Sequence, residues 1–91
     1  MKKLKRLCVI VDSQLPGMYG AVQGYHAVGQ FMLEHGVEKW PNEVIIVKKS
    51  HELHKYIHLA DSIFKEPDLD NQITAIAGMD LERHVKHLPL L

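Results

Sequence analysis

LCVIVDSQLPGMYGAVQGYHAVGQFMLEHG, residues 7–36, opens as an unbroken apolar run and ends with helical spacing. Leu7 to Val11 is short, rich in β-branched side chains and free of polar alternation, which predicts a strand buried on both faces. Asp12 to Gly17 is loop chemistry, with Pro16-Gly17 marking a turn. From about Met18 to His35 the period changes. Ala21, Tyr25, Val28 and Met32 recur at three- and four-residue intervals, joined by Val22, Gly29 and Leu33, so the spacing predicts an amphipathic helix with that stripe inward. Gly24 and Gly29 weaken such a helix by propensity and are read as points of close packing against a sheet. Gly36 is placed to end it as a C′ glycine.

Working outward, Val44 to Val47 is a second buried strand. Ser50 then offers an N-cap, and Leu53, Ile57, Ala60 and Phe64 fall on one stripe of a second helix. Glu66 to Asn71 is a polar connection beginning near Pro67. Ile73 to Ala77 is a third strand closed by Gly78, and Asp80 to His87 forms a short last helix before Pro89. The order βαβαβα predicts an α/β domain over residues 1–91, with a small three-stranded mixed or parallel sheet packed by two main helices.

Composition sets the bounds on function. Ninety-one residues make one small domain with a thin stability margin, which favours a homodimer. Eleven basic and eleven acidic side chains leave a formal net charge of +0, so bulk charge gives no case for a broad nucleic-acid footprint. The apolar run after Lys2, Lys3, Lys5 and Arg6 is too short for a signal peptide and ends at Asp12. No segment reaches transmembrane length. A cytoplasmic protein without membrane partners is expected. The one cysteine, Cys8, excludes an internal disulfide and reads as a small buried thiol.

Gln23-Gly24-Tyr25-His26-Ala27 on the first helix resembles the Gln-x-x-His-Ala signature of the peptidyl-tRNA hydrolase 2 family, archaeal and eukaryotic in type. Asp12 falls on the aspartate after that family's first strand. Trp40 followed by Glu43 to Lys48 is similar to its tryptophan, spacer and valine-rich strand. Thr74 to Gly78, then Asp80-Leu81 to His87-Leu88, is similar to its last strand and closing stretch. The resemblance implies the family's fold and a ligand site at the start of the first helix. The departures are specific. Where the family carries a lysine implicated in catalysis, four residues before the glutamine, this chain has Tyr19. The family's strand and loop before its last strand, with a catalytic aspartate and a nearby threonine, are expected to be missing, because Phe64 leads almost directly to Ile73. A tyrosine donates a hydrogen bond but carries no positive charge at neutral pH, so the family's ester hydrolysis loses its cation.

The candidate ligand residues are therefore Asp12, Ser13, Gly17, Tyr19, Gly20, Gln23, His26, Lys48 and Lys49, all near strand ends or the helix start, where α/β sheets gather ligands. His26, Tyr19 and Gln23 are the candidate catalytic set. Each has an ordinary alternative: His26 as a core histidine, Gln23 as a cap, the two lysines as surface residues. Tyr19 offers a stacking face for a base, as Tyr25 does if it is not a core or dimer contact; Trp40 reads better as such a contact. His51, His54 and His58 lie on one flank of the second helix. Although an i, i+4 pair can chelate zinc, no cysteine or H-E-x-x-H accompanies them, so they are read as a solvated face, like His84 and His87. No metal and no cofactor is implied.

The expected function is binding of a nucleotide or nucleotide-like ligand, held or cleaved, as would suit a phage protein acting against nucleotide-based defence. The alternatives are an active hydrolase of peptidyl-tRNA or of a phosphodiester, with a tRNA end as partner, and a non-catalytic protein-interaction module.

Overall fold

A computed structural model describes residues 6–15, 19–36 and 44–91. Strand β1 (Arg6–Asp12) leads into helix α1 (Tyr19–His35), which is followed by β2 (Val44–Ser50). A 3₁₀ helix (Leu53–Leu59) connects β2 to β3 (Ser62–Glu66). A 3₁₀ turn (Pro67–Leu69) leads to β4 (Gln72–Gly78), and another (Glu82–His84) follows it. The sheet order is β2-β1-β4-β3, with β1 and β2 parallel and the other two pairs antiparallel. The chain is thus a small α/β protein with a mixed four-stranded sheet. Parallel β1 and β2 need a crossover between them, and α1 lies in it.

β1 is central, and its side chains divide the core between the two faces. Leu7, Val9 and Val11 pack with Ala27 and Phe31 of α1 and with Ala75 and Ala77 of β4. Cys8 and Ile10 pack with Leu53, Ile76, Leu81 and Val85 on the opposite face. Leu7 to Val11 are all fully buried, as an apolar run without alternation requires. The chain end covers part of the outer edge of β2: Lys49 N–H donates to Pro89 O at 3.1 Å and Leu91 N–H to Val47 O at 3.0 Å.

Four expectations are corrected. The sheet has four strands, not three, because Ser62–Glu66 is a strand and not the end of a second helix. The Leu53-Ile57-Ala60-Phe64 spacing is only partly used. Ser50 Oγ accepts from Glu52 N–H at 3.0 Å in a tight local turn. Tight i→i+3 bonds then wind residues 53–59, and Ala60 leaves in extended geometry (φ −83, ψ 148). Asp61 N–H joins the sheet by donating to Ala77 O at 2.9 Å. The last helix reduces to Glu82–His84.

The fourth correction concerns α1. Its buried residues are Gly20, Gln23, Gly24, Ala27 and Phe31, whereas Tyr25 is 78% exposed and Leu33 84%. The helix is turned by about one residue because its smallest side chains let the backbone sit close to β1. A Cβ built on Gly24 would lie 3.5 Å from Val11 and 3.7 Å from Val47, while one on Gly29 meets nothing within 4 Å. Gly24 is thus the packing glycine and Gly29 is not. Gly36 ends the helix as expected, at φ 86, with its N–H donating to Met32 O at 2.8 Å.

Candidate functional site

The α1-facing side of β3 is ordered by simple alternation. Ser62 Oγ donates to Glu34 Oε1 at 2.6 Å, Phe64 stacks on the His26 ring (centroids 4.7 Å apart, planes at 12°), and Glu66 Oε2 accepts from Gln23 Nε2 at 3.0 Å. β4 joins this row through a bulge. Phe64 pairs with Ala75 and Lys65 with Ile73, so Thr74 is an extra residue in β4. Ile73 and Ile76 both pack on the far face, which leaves Thr74 turned with Ala75 toward α1. Its hydroxyl donates to Gln23 Oε1 at 2.5 Å.

Gln23 is therefore neither exposed nor a cap. It is buried at 1% exposure and bridges Thr74 to Glu66. Glu66, 8% exposed, also accepts from Asp68 N–H through Oε1 at 3.3 Å. The turn that positions Asp68 closes with Asp70 and Asn71 in the left-handed region (φ 54 and 63), and Asn71 N–H donates to Glu66 O at 2.9 Å. Asparagine and aspartate tolerate that geometry better than most residues.

Together these residues line a cleft of about 300 Å³, in which Tyr19, Gln23 and His26 from α1 face Glu66 and Asp68 from the β3–β4 connection. Tyr19 is half-exposed and His26 exposed. The three α1 residues singled out from sequence thus share one cleft. Glu66, Asp68 and Thr74 were missed. The signal for the first two is the alternation Ser62-Phe64-Glu66 running into Pro67 and the Asp70-Asn71 turn; Thr74 has none, since a bulge leaves no mark on the strand pattern.

The other candidates lie elsewhere. Gly20 is buried beneath Leu91 and Val11. Asp12 accepts from Gln14 N–H at 2.9 Å and lines a separate concavity of about 420 Å³ with His51, His54 and Asn71, on the far face from α1. Ser13 ties the ends of β1 and β2 together, its N–H donating to Ser50 O at 3.0 Å. Lys48 is buried and spends Nζ on Leu88 O at 3.0 Å, whereas Lys49 is exposed on the α1 face. Gly17 and Trp40 lie outside the described residues. His51, His54, His58, His84 and His87 are exposed, and His87 Nε2 lies 3.2 Å from Tyr56 Oη. Among the described residues no group of three or more His, Cys, Asp or Glu is arranged to hold a metal ion, and no helix is long and apolar enough to cross a membrane.

Glu34 and Cys8, both away from the cleft, are perturbed, as are the surface partners Glu52 and Lys55, whose hydrogen bond to each other lowers the carboxyl and raises the ammonium. Hydrogen bonds from Ser62 and then Gln30 hold the Glu34 carboxyl below its usual range. Burial pushes the Cys8 thiol up to about 12, with the charge of Glu82 adding and that of Lys48 opposing. Cys8 is thus an inert core thiol.

Compared with protein-family models, with curated proteins and with solved structures, the chain matches none.

Proposed function

We propose that the cleft between α1 and the β3–β4 connection binds a nucleotide or nucleotide-like ligand and retains it without cleavage. The observation that carries this reading is the juxtaposition of two accessible rings, Tyr19 and His26, with a fixed polar floor, Gln23 and Glu66, in one concavity. Aromatic faces at a small site accept any base by stacking, and a few placed polar groups give selection. The resemblance of Gln23, His26 and Ala27 to the peptidyl-tRNA hydrolase 2 signature supports the same location. Retention is favoured over hydrolysis because, among the described residues, the acidic side chains Glu66 and Asp68 line the cleft and no lysine or arginine does, an arrangement that opposes rather than stabilises a developing oxyanion.

The test is a thermal-shift series with linear and cyclic nucleotides and an aminoacyl-end mimic, followed by chromatography of the recovered ligand. A binder raises the melting temperature by mass action. Intact ligand is the expected recovery. A cleaved product makes the protein an enzyme, and no shift with any compound removes the nucleotide reading.

A second reading rests on a different surface. Ala21, Tyr25, Val28, Ile45, Val47 and Leu91 line an apolar groove of about 420 Å³ between α1 and β2, which suits self-association or another protein contact. Sedimentation across a concentration series, repeated with Tyr25→Ser, separates this from a monomeric binder.

A further inference from the structure

The cleft floor has a chemistry that goes beyond nucleotide binding in general. Glu66 is a buried carboxylate whose two partners are neutral N–H groups, Gln23 Nε2 and Asp68 N. No lysine, arginine or histidine forms an ion pair with it among the described residues. A carboxylate offers about four lone-pair sites, so two donors leave capacity for about two more. Its orientation is fixed from behind. Thr74 occupies the Gln23 carbonyl oxygen, which turns the Gln23 amide N–H toward Glu66. Asp68 adds a second carboxylate to the lining. Glu66 and Asp68 thus present acceptors to the cleft, and as carboxylates they repel phosphate.

The geometry points to a guanine-type base as the group that enters this cleft, with its N1–H and N2–H edge on the Glu66 carboxylate; this rests on the nucleotide reading above. Among the standard bases, neutral guanine alone presents two adjacent N–H donors on one edge, which matches the two oxygens of a carboxylate. Adenine and cytosine place a bare ring nitrogen beside their amino group, and that lone pair faces the carboxylate. Uracil and thymine flank one N–H with two carbonyl oxygens. The volume agrees: about 300 Å³ lies at the lower end of the range for small-molecule sites, room for one heterocycle and not for a whole dinucleotide. Phe64 already packs on one face of His26, holding that ring flat and leaving its other face for the base. The phosphates then lie outside the cleft, so affinity resides mainly in the nucleoside.

Calorimetric titration with guanosine, inosine, adenosine, cytidine and GMP tests this on the ligand side, where the folding of variants does not enter. Guanosine should bind about as well as GMP. Inosine, which lacks the N2 amino group, should be weaker by roughly tenfold, and adenosine by tenfold to a hundredfold. Glu66→Gln, which sets an amide N–H against N1–H, should lose guanosine at least tenfold, with circular dichroism reporting the fold. Adenosine or cytidine binding as tightly as guanosine overturns the base assignment and leaves nucleotide binding standing. Binding of GMP and AMP alike, with no nucleoside binding, overturns it in the same way. If no nucleoside or nucleotide binds, both readings fall.

Discussion

The hydroxyl of Thr74 donates to the side-chain oxygen of Gln23, 51 residues away, and the same amide donates onward to Glu66. All three side chains are buried, so each polar atom depends on its neighbour. A bulge in β4 makes the contact possible by turning Thr74 to the α1 side.

Thr74→Val keeps the side-chain shape and removes the donor, leaving Gln23 Oε1 buried without it. The expected loss is about 1–3 kcal/mol of unfolding free energy. It should appear as a lower urea midpoint at unchanged slope. Adding Gln23→Leu to that variant should cost less than Gln23→Leu costs alone, because the pair acts as a unit. Additive losses would mean that the contact contributes nothing.

Glu34 and Ser62 give the acid limb of the stability curve. The Glu34 carboxyl is held below its ordinary 4.5, first by the Ser62 hydroxyl and then by Gln30. A lowered folded-state value means that the contribution is present above the unfolded value of about 4.5 and is lost as pH falls through the lower folded one. Glu34 is exposed, so water screens the effect and it is small. Melting temperatures measured from pH 7 down to pH 3 should separate wild type from Ser62→Ala above that window and bring them closer below it. A gap that stays constant across the range would assign the Ser62 contact a purely packing role.

The parts of the fold that were legible follow from patterns that burial enforces directly. Leu7–Val11 must be interior because nothing in it tolerates water, Ile73–Ala77 is apolar but for Thr74, and Gly36 must end α1 because the chain needs a positive φ there. What stayed hidden depends on long-range partners. Ile63 and Phe64 fit either a helical stripe or a strand, and pairing with β4 decides between them. The buried face of α1 follows from small residues approaching β1, a packing choice that apolar spacing does not encode. At the candidate site, Gln23 and His26 are legible from the motif and Tyr19 as the residue that stands where the motif's lysine would be. Glu66 and Asp68 are not, because their role exists only once the β3–β4 connection is laid beside α1.

Cys8 sets the alkaline limb. Its thiol is fully buried and pushed up to about 12, from an ordinary value of 9.0. An acid that holds its proton more tightly when folded stabilises the fold below its unfolded value, and the contribution disappears as pH rises toward the folded one. Stability should therefore fall between about pH 9 and pH 12, and Cys8→Ala should flatten that fall while lowering stability at pH 7. Under native conditions a thiol reagent should label Cys8 only at the rate of opening, and at once in denaturant. Rapid native labelling would contradict its burial.

The glycines of α1 separate packing from propensity. Gly29 has open space where a Cβ would go, so Gly29→Ala removes backbone entropy without a clash and should stabilise by roughly 0.8–1 kcal/mol. For a chain of this size that is a rise in melting temperature of about 4–8 °C. Gly24 is different. A single Cβ there would make ordinary contacts with Val11, Val47 and Val9, at 3.5, 3.7 and 3.9 Å. Gly24→Ala is therefore accommodated, but the two further methyls of Gly24→Val have nowhere to go. That variant should push α1 off β1 and cost about 1–3 kcal/mol. Because Gln23 precedes Gly24 on the same buried face, the shift should also loosen the Thr74–Gln23–Glu66 bridge. Amide exchange at Asp68, whose N–H is held by Glu66, should then quicken in Gly24→Val and stay at the wild-type rate in Gly29→Ala. Equal exchange rates in the two variants would show that the bridge does not depend on how closely α1 approaches the sheet.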